Sequence, residues 1–238
     1  MNVDEIVAAA VEQTGLDDFG DALLPSSVPS FRDGLACYVA SLESEARLND
    51  LGGVALPPAV TAALVNRLKV VDWAKQHPEV RDERIEAPVV VIGMFRAGTT
   101  LLSNLLDQDP ANRALLAWES QDSAPPPTPE TRRSGPRVDA AQGGVDMLEM
   151  LNPAISAIHH ESASDPTECI AVMGQAFQSI SWEAIANVPT YGARHGPRGP
   201  SRPRPGRSSG PGPAGRYRPR RARGGGRGRA ARPRAGSR

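Results

Sequence analysis

The stretch PVVVIGMFRAGTTLLSNLL, residues 88–106, sets the expectation for the fold. Val89, Val90, Val91 and Ile92 form a short β-branched apolar run suited to a buried parallel strand. Gly93 and Gly98 follow at the G-x-x-x-x-G spacing of a nucleoside-triphosphate loop, and a leucine-rich helix is predicted from Thr99 to near Gln108, burying Leu101, Leu102, Leu105 and Leu106. Such a loop normally continues Gly-Lys-Ser/Thr. Here Thr99 stands at the lysine position, and the cation has moved to Arg96 inside the loop. A strand running through a glycine loop into a helix builds an anion site, because free backbone N–H groups and the helix dipole both face the loop. Gly93 and Gly98 let the backbone turn tightly, and Thr99 and Thr100 add hydroxyl donors. The Arg96 fork suits two phosphate or sulfate oxygens at once. Two glycines alone would read as a tight βα turn; strand, arginine, tandem threonine and leucine helix together favour the anion site. The absent lysine counts against a Mg-nucleoside-triphosphate enzyme, since that residue bridges the β- and γ-phosphates. A P-loop small-molecule kinase stays open as an alternative.

Working outward, "ALLAW" (114–118) is expected as a second strand, which makes strand, helix and strand one right-handed parallel βαβ unit. The expected fold class is therefore α/β: a P-loop-like parallel sheet with flanking helices, incomplete, and a disordered C-terminal tail. Upstream, Val3, Ile6, Val7, Ala10 and Val11 mark one face of a first helix that Thr14-Gly15 ends. Ser30, with Asp33 three residues on, starts a second, carrying Leu35, Tyr38, Val39, Leu42 and Ala46. Pro57-Pro58 are expected to open a third that runs to Gln76, with Val60, Leu64, Leu68, Val71 and Trp73 in the core, and His77-Pro78 stops it. Further helices are expected at 140–151 and 166–186, the latter with Cys169, Ile170, Met173, Phe177, Ile180 and Trp182 available for packing.

A formal net charge of zero over 238 residues hides two opposite parts. From Arg194 onward there are fifteen Arg and no Lys, Asp or Glu, which leaves twelve basic against 27 acidic residues in 1–193. Cys37 and Cys169 are too few for a disulfide scaffold and read as idle thiols in a reducing compartment. The start lacks the layout of a signal peptide and no run is expected to span a membrane, so the expected location is cytoplasmic.

Pro88 to Ser120 resembles the 5′-phosphosulfate-binding segment of the sulfotransferase superfamily, and most of all bacterial members whose loop reads G-x-P-R-S/T-G-T-T, followed by a leucine helix, D-P and W-E. "QTGLDDFGD", "FRDGLACYVASLESEARLN", "HPEVRDERIEAP" and "DPTECIAVMGQAFQSISWEAIANVPTY" also look like that family's segments, so the likeness covers roughly residues 1–192. Phe95 replaces the family's proline, and Ala97 replaces a Ser or Thr and so loses a hydroxyl donor. The resemblance implies a P-loop-like α/β fold, 3′-phosphoadenosine 5′-phosphosulfate (PAPS) as donor cosubstrate, no metal, and a small-molecule hydroxyl as acceptor. It implies that Arg96, Ala97, Gly98, Thr99 and Thr100 hold the 5′-phosphosulfate, with Arg96 also facing the leaving phosphate, and that Glu119 is the base for the acceptor hydroxyl. The competing reading of Glu119 is a solvated turn residue. His159-His160 fall where the family builds its acceptor pocket, although a histidine pair after a helix is more often structural. Asp165 and Glu168 suit a helix start.

The expected organisation is an N-terminal helical region, 1–87; a partial sulfotransferase α/β domain, 88–193; and an Arg/Gly/Pro-rich tail, 194–238. The family normally continues with a helix, a strand carrying a Leu-Lys-x-Pro-like motif, and the Arg and Ser that hold the 3′-phosphate, and none of these follows Tyr191 here. Instead, all of residues 194–238 except His195 and Tyr217 are Arg, Gly, Pro, Ala or Ser. That composition cannot bury a core and is expected to be disordered. Codons of Arg, Gly, Pro and Ala begin with two G/C bases, so a frameshift in a GC-rich gene would produce it, leaving a chain of impaired activity. "RARGGGRGRAAR" also gives the alternative of nonspecific nucleic-acid binding through charge.

Overall fold

Asn2, Ser30 and Asn49 each stand just before a helix, and each caps it. In a computed structural model that describes residues 1–23, 30–94, 96–158 and 160–194, the Asn2 side chain accepts the Asp4 N–H at 2.9 Å and starts α1, Val3–Thr14. Gly15, at φ 68°, closes that helix in the left-handed conformation that lacks a penalty only for glycine. Ser30 Oγ accepts the Arg32 N–H and starts α2, Phe31–Glu45; Asn49 Oδ1 accepts the Gly52 N–H and starts α3, Asp50–Gln76. Helix α3 thus begins before Pro57-Pro58 and contains them. The two prolines withdraw the donors due to the carbonyls of Gly53 and Val54, which are solvent-exposed residues, so water can replace the missing bonds. At 27 residues α3 is also long and apolar enough, by length and composition, to cross a membrane, against the expectation from sequence. Here Val60, Leu64 and Leu68 are fully buried and α1 packs along it.

The main core gathers Ile6 and Ala10 of α1, Leu35 and Tyr38 of α2, and Leu64 and Leu68 of α3, and is closed by Phe177, Trp182 and Tyr191 from far downstream. The Tyr38 ring lies 5.0 Å from Trp182 and 5.2 Å from Tyr191, and Phe177 stacks on Trp182 at 5.0 Å. The remaining helices are α4 (Thr99–Leu106), α5 (Ala117–Gln121), α6 (Pro136–Leu151), α7 (Ile155–Ile158), α8 (Cys169–Gly174), α9 (Ser181–Ile185) and α10 (Pro189–Gly192). The helix expected over 166–186 is broken in two. Phe177 sits in the break at φ 52°, which turns its ring into the core and leaves Cys169, Met173 and Ile180 exposed.

The α/β expectation is overturned: among the described residues there is no strand and no sheet. Residues 88–93 take no regular secondary structure: their backbone forms no hydrogen bond among the described residues, and a strand exists only through a ladder. Val89, Val90, Ile92 and Met94 are exposed, as are Leu101, Leu102 and Leu105, and α4 buries no residue at all. The "ALLAW" segment forms one antiparallel bridge, Leu116 with Pro166, then turns into α5 at Ala117. Backbone bonds from Ala117 to Asp165, from Trp118 to Ala163 and from Thr167 to Leu115 hold it there. These make a second small core of Leu116, Trp118, Val138 and Ala163. The tail from residue 195, with Tyr217, lies outside the described residues, and so do Phe95 and His159.

Two buried tyrosines give opposite expectations. Among the described residues the Tyr38 hydroxyl is buried without a hydrogen-bond partner, whereas the Tyr191 hydroxyl donates to the Ser179 carbonyl at 3.1 Å. Tyr38→Phe is expected to stabilise the fold, and Tyr191→Phe to destabilise it, each by about 1 kcal/mol in chemical denaturation. Burial pushes both phenols up, Tyr191 to about 12. Because the folded-state value lies above the unfolded one near 10, this contribution is complete below pH ~10 and is lost as pH rises toward ~12. Stability measured across that window should fall, and less steeply in Tyr191→Phe.

Candidate active site

The loop at residues 93–98 curls tightly. Ala97 donates its N–H to Met94 O at 3.0 Å, so that donor is spent inside the turn. Arg96 and Gly98 both take positive φ, 66° and 89°. Gly98 is the residue before α4 and no side chain caps the helix, so its first turn is open to a ligand. A Cβ on Gly93 would stand 2.7 Å from Thr99 Cγ2, so a larger residue there would have to push the Thr99 side chain aside. Arg96, Ala97, Gly98 and Thr100 are exposed and Thr99 half-buried. On the donor side these residues fit an oxyanion group: an uncapped helix turn, two threonine hydroxyls and an arginine in one short loop.

Glu119 is not a solvated turn residue. It is 4 % exposed in the first turn of α5. Its Oε2 accepts the Leu116 N–H at 2.8 Å, and its Oε1 accepts Arg113 Nη2 at 2.6 Å. The first bond is one half of a capping box; Leu116 has no acceptor to supply the other half. The short α5 is pinned from α3. Asn66 Nδ2 donates to the Ser120 carbonyl (3.0 Å) and to Ser123 Oγ (3.2 Å), and Asn66 Oδ1 accepts the Ser123 N–H (2.8 Å). Gln175 also donates to Ser120 O. Asp122, at the end of α5, pairs with Lys69 of α3 and Arg137 of α6, and Arg137 lies 4.7 Å over the Trp118 ring.

Glu119 lines a cavity of about 260 Å³ with Val70, Leu115, Val172 and Gln175. Arg113 borders it and also the neighbouring cavity of about 550 Å³, where Arg132 and Arg133 both pair with the buried Asp107. None of the described loop residues lines either cavity, so the structure does not bring the loop and Glu119 into one pocket. His160 is exposed. Glu168 directly precedes α8 but makes no side-chain cap, and the Asp165 backbone serves the bridge to α5.

Residues 88–201, which include the loop, α4 and Glu119, match the family model described as "Sulfotransferase family". The chain belongs to the sulfotransferase family. Two solved sulfotransferases share its fold over most of its length. One, from Mycobacterium tuberculosis, is 33 % identical with a TM-score of 0.68, covering 82 % of this chain and 52 % of its own. The other, from Mycobacterium avium, is 33 % identical with a TM-score of 0.66, covering 81 % and 48 %. This sulfotransferase-family chain therefore spans about half the length of those relatives. No curated protein matches it. Sequence reasoning missed the groups that set Glu119 in place, Arg113, Asn66 and Gln175. Arg113 could have been suspected as a cation six residues from a candidate carboxylate; Asn66, on a helix more than fifty residues upstream, gives no local signal.

Proposed function

We propose that the chain carries the donor-side half of a sulfotransferase site, for transfer of a sulfuryl group from PAPS to the hydroxyl of a small-molecule acceptor. The uncapped first turn of α4 is the observation that carries this reading, because it offers N–H donors to an anion just where Arg96, Thr99 and Thr100 stand. The donor, when bound, supplies the sulfuryl group and a nucleoside-bisphosphate leaving group. Arg96 with the N–H groups and hydroxyls of Gly98, Thr99 and Thr100 would hold the 5′-phosphosulfate; the Ala97 N–H, already bonded to Met94, contributes less than the sequence pattern implies. Glu119 would accept the acceptor's proton. It is already ordered for that by Leu116 and Arg113, and each carboxylate oxygen keeps a second lone pair.

The same geometry argues for weak activity. A loop whose preceding segment is unpaired and whose following helix buries no residue is not preorganised, and ligand binding has to order it. Calorimetry with 3′-phosphoadenosine 5′-phosphate is expected to give a Kd on the order of 100 μM or weaker, with the heat lost in Arg96→Ala. Heat that survives Arg96→Ala would refute the loop assignment. Tight binding would refute the reading of weak activity, and preferential binding of ATP with Mg would favour the kinase alternative.

A further inference from the structure

Helix α4 is eight residues long and buries no residue, yet the loop leads straight into its first turn. A helix that short is not stable in water by propensity alone and depends on contacts outside itself. Two polar ties hold its other end. The side chain of Asp107, the residue just after α4, is 2 % exposed and pairs with two guanidinium groups: Oδ2 accepts Arg133 Nη2, and Oδ1 lies 3.6 Å from Arg132 Nη2. Asn112 Nδ2 donates to the Leu106 carbonyl at 2.9 Å. Both arginines also reach the smaller core. Arg132 Nη2 donates to the Ala114 carbonyl at 2.7 Å, and the Arg132 carbonyl accepts the Trp118 indole N–H at 2.8 Å. Arg133 Nη1 donates to the Ser164 carbonyl at 3.0 Å, one residue after Ala163 of that core. Trp118 directly precedes Glu119 in α5. A chain of contacts from Asp107 through Arg132 to Trp118 therefore joins the end of α4 to the turn that bears Glu119.

We infer that Asp107 is a positioning residue: its ion pairs with Arg132 and Arg133 set α4, and with it the loop at 93–98, against the core that carries Glu119. The inference rests on the donor-side reading of that loop. The loop and Glu119 line no common pocket, so a fixed separation between them has to come from a connection of this kind. The placement of the carboxylate fits the role. A negative charge at a helix C-terminus meets the negative end of the dipole, and that cost is offset here by the two cations. Asp107 Oδ1 and Arg132 Nε are both buried without a hydrogen-bond partner among the described residues, so removing the carboxylate leaves a buried guanidinium without this counter-charge.

Amide hydrogen exchange of the full chain, without nucleotide, tests the connection. The α4 amides of the wild type are expected to be protected. Asp107→Asn keeps the shape and removes the charge; it should speed exchange in α4 about tenfold and leave α1, α2 and α3 unchanged. Arg133→Gln, at a half-exposed side chain, should do the same, and Arg133→Lys, which keeps the charge, should return most of the protection. Calorimetry with 3′-phosphoadenosine 5′-phosphate then reads the loop, where Asp107→Asn should weaken binding by a similar factor. Unprotected α4 amides in the wild type overturn the inference. So do unchanged α4 exchange in Asp107→Asn, faster exchange that extends equally to α1, α2 and α3, equal losses in Arg133→Gln and Arg133→Lys, or a nucleotide affinity that Asp107→Asn leaves intact. A wild type that binds no nucleotide sinks the donor-side reading, and the exchange rates alone then decide whether Asp107 positions α4.

Discussion

Gly34→Ala is expected to destabilise the fold by about 3 kcal/mol, the reverse of what helix propensity predicts. Gly34 lies inside α2, where replacing glycine by alanine normally gains about 1 kcal/mol. Here a Cβ would stand 2.9 Å from both the carbonyl carbon and the Cβ of Phe177, and closer still to the carbonyl oxygen. Those atoms cannot yield like the tip of a flexible side chain. Phe177 is fully buried, stacked on Trp182, and held at φ 52° in the break between α8 and α9. Either α2 moves off or the aromatic cluster opens. Urea denaturation of Gly34→Ala measures the cost, and Gly53→Ala, at an exposed α3 position with nothing near its Cβ, is the control that should not lose stability. Equal, small effects at both sites would mean that Phe177 does not seat on α2.

Trp118→Ala is expected to cost about 4 kcal/mol and to release the ordering of Glu119. The indole is 1 % exposed in the smaller core, donates from Nε1 to the Arg132 carbonyl at 2.8 Å, and lies under the Arg137 guanidinium. Removing it opens a cavity beside Val138 and Ala163 and leaves that carbonyl without its donor. Trp118→Phe keeps most of the volume and should lose only about 1 kcal/mol, for the hydrogen bond. Thermal denaturation separates the two. If alanine costs no more than phenylalanine, the smaller core is not holding α5.

The helices were legible where capping and periodicity agree. Thr14-Gly15, Ser30 and His77-Pro78 mark ends that the structure keeps, and the apolar faces of α1, α2 and α3 point into the core as their spacing implies. Errors arose where a local pattern depends on a distant partner. Val89–Ile92 has the composition of a buried strand, but composition cannot provide the neighbour that makes a strand, and the α4 leucines stay exposed for the same reason. "ALLAW" was misread because its pairing with 163–167 lasts one bridge before the Trp118-Glu119 turn. For the site, the loop and Glu119 could be named from a resemblance; the Arg113 contact that engages the carboxylate could not, since it depends on how the chain folds back between α4 and α5.

The bonds from Asn66 to Ser120 and Ser123 have a consequence for anyone cutting this chain into pieces. The segment that matches the family model begins at residue 88 and contains the loop and Glu119, yet the side chain that ties down the helix bearing Glu119 belongs to α3. The two rings that finish the core around Tyr38 travel the opposite way, from 182 and 191 back onto α2. The family segment is therefore not a portable module: excised at residue 88, it would carry its chemical groups without the lattice that aims them, and a graft would have to bring α2 and α3 along.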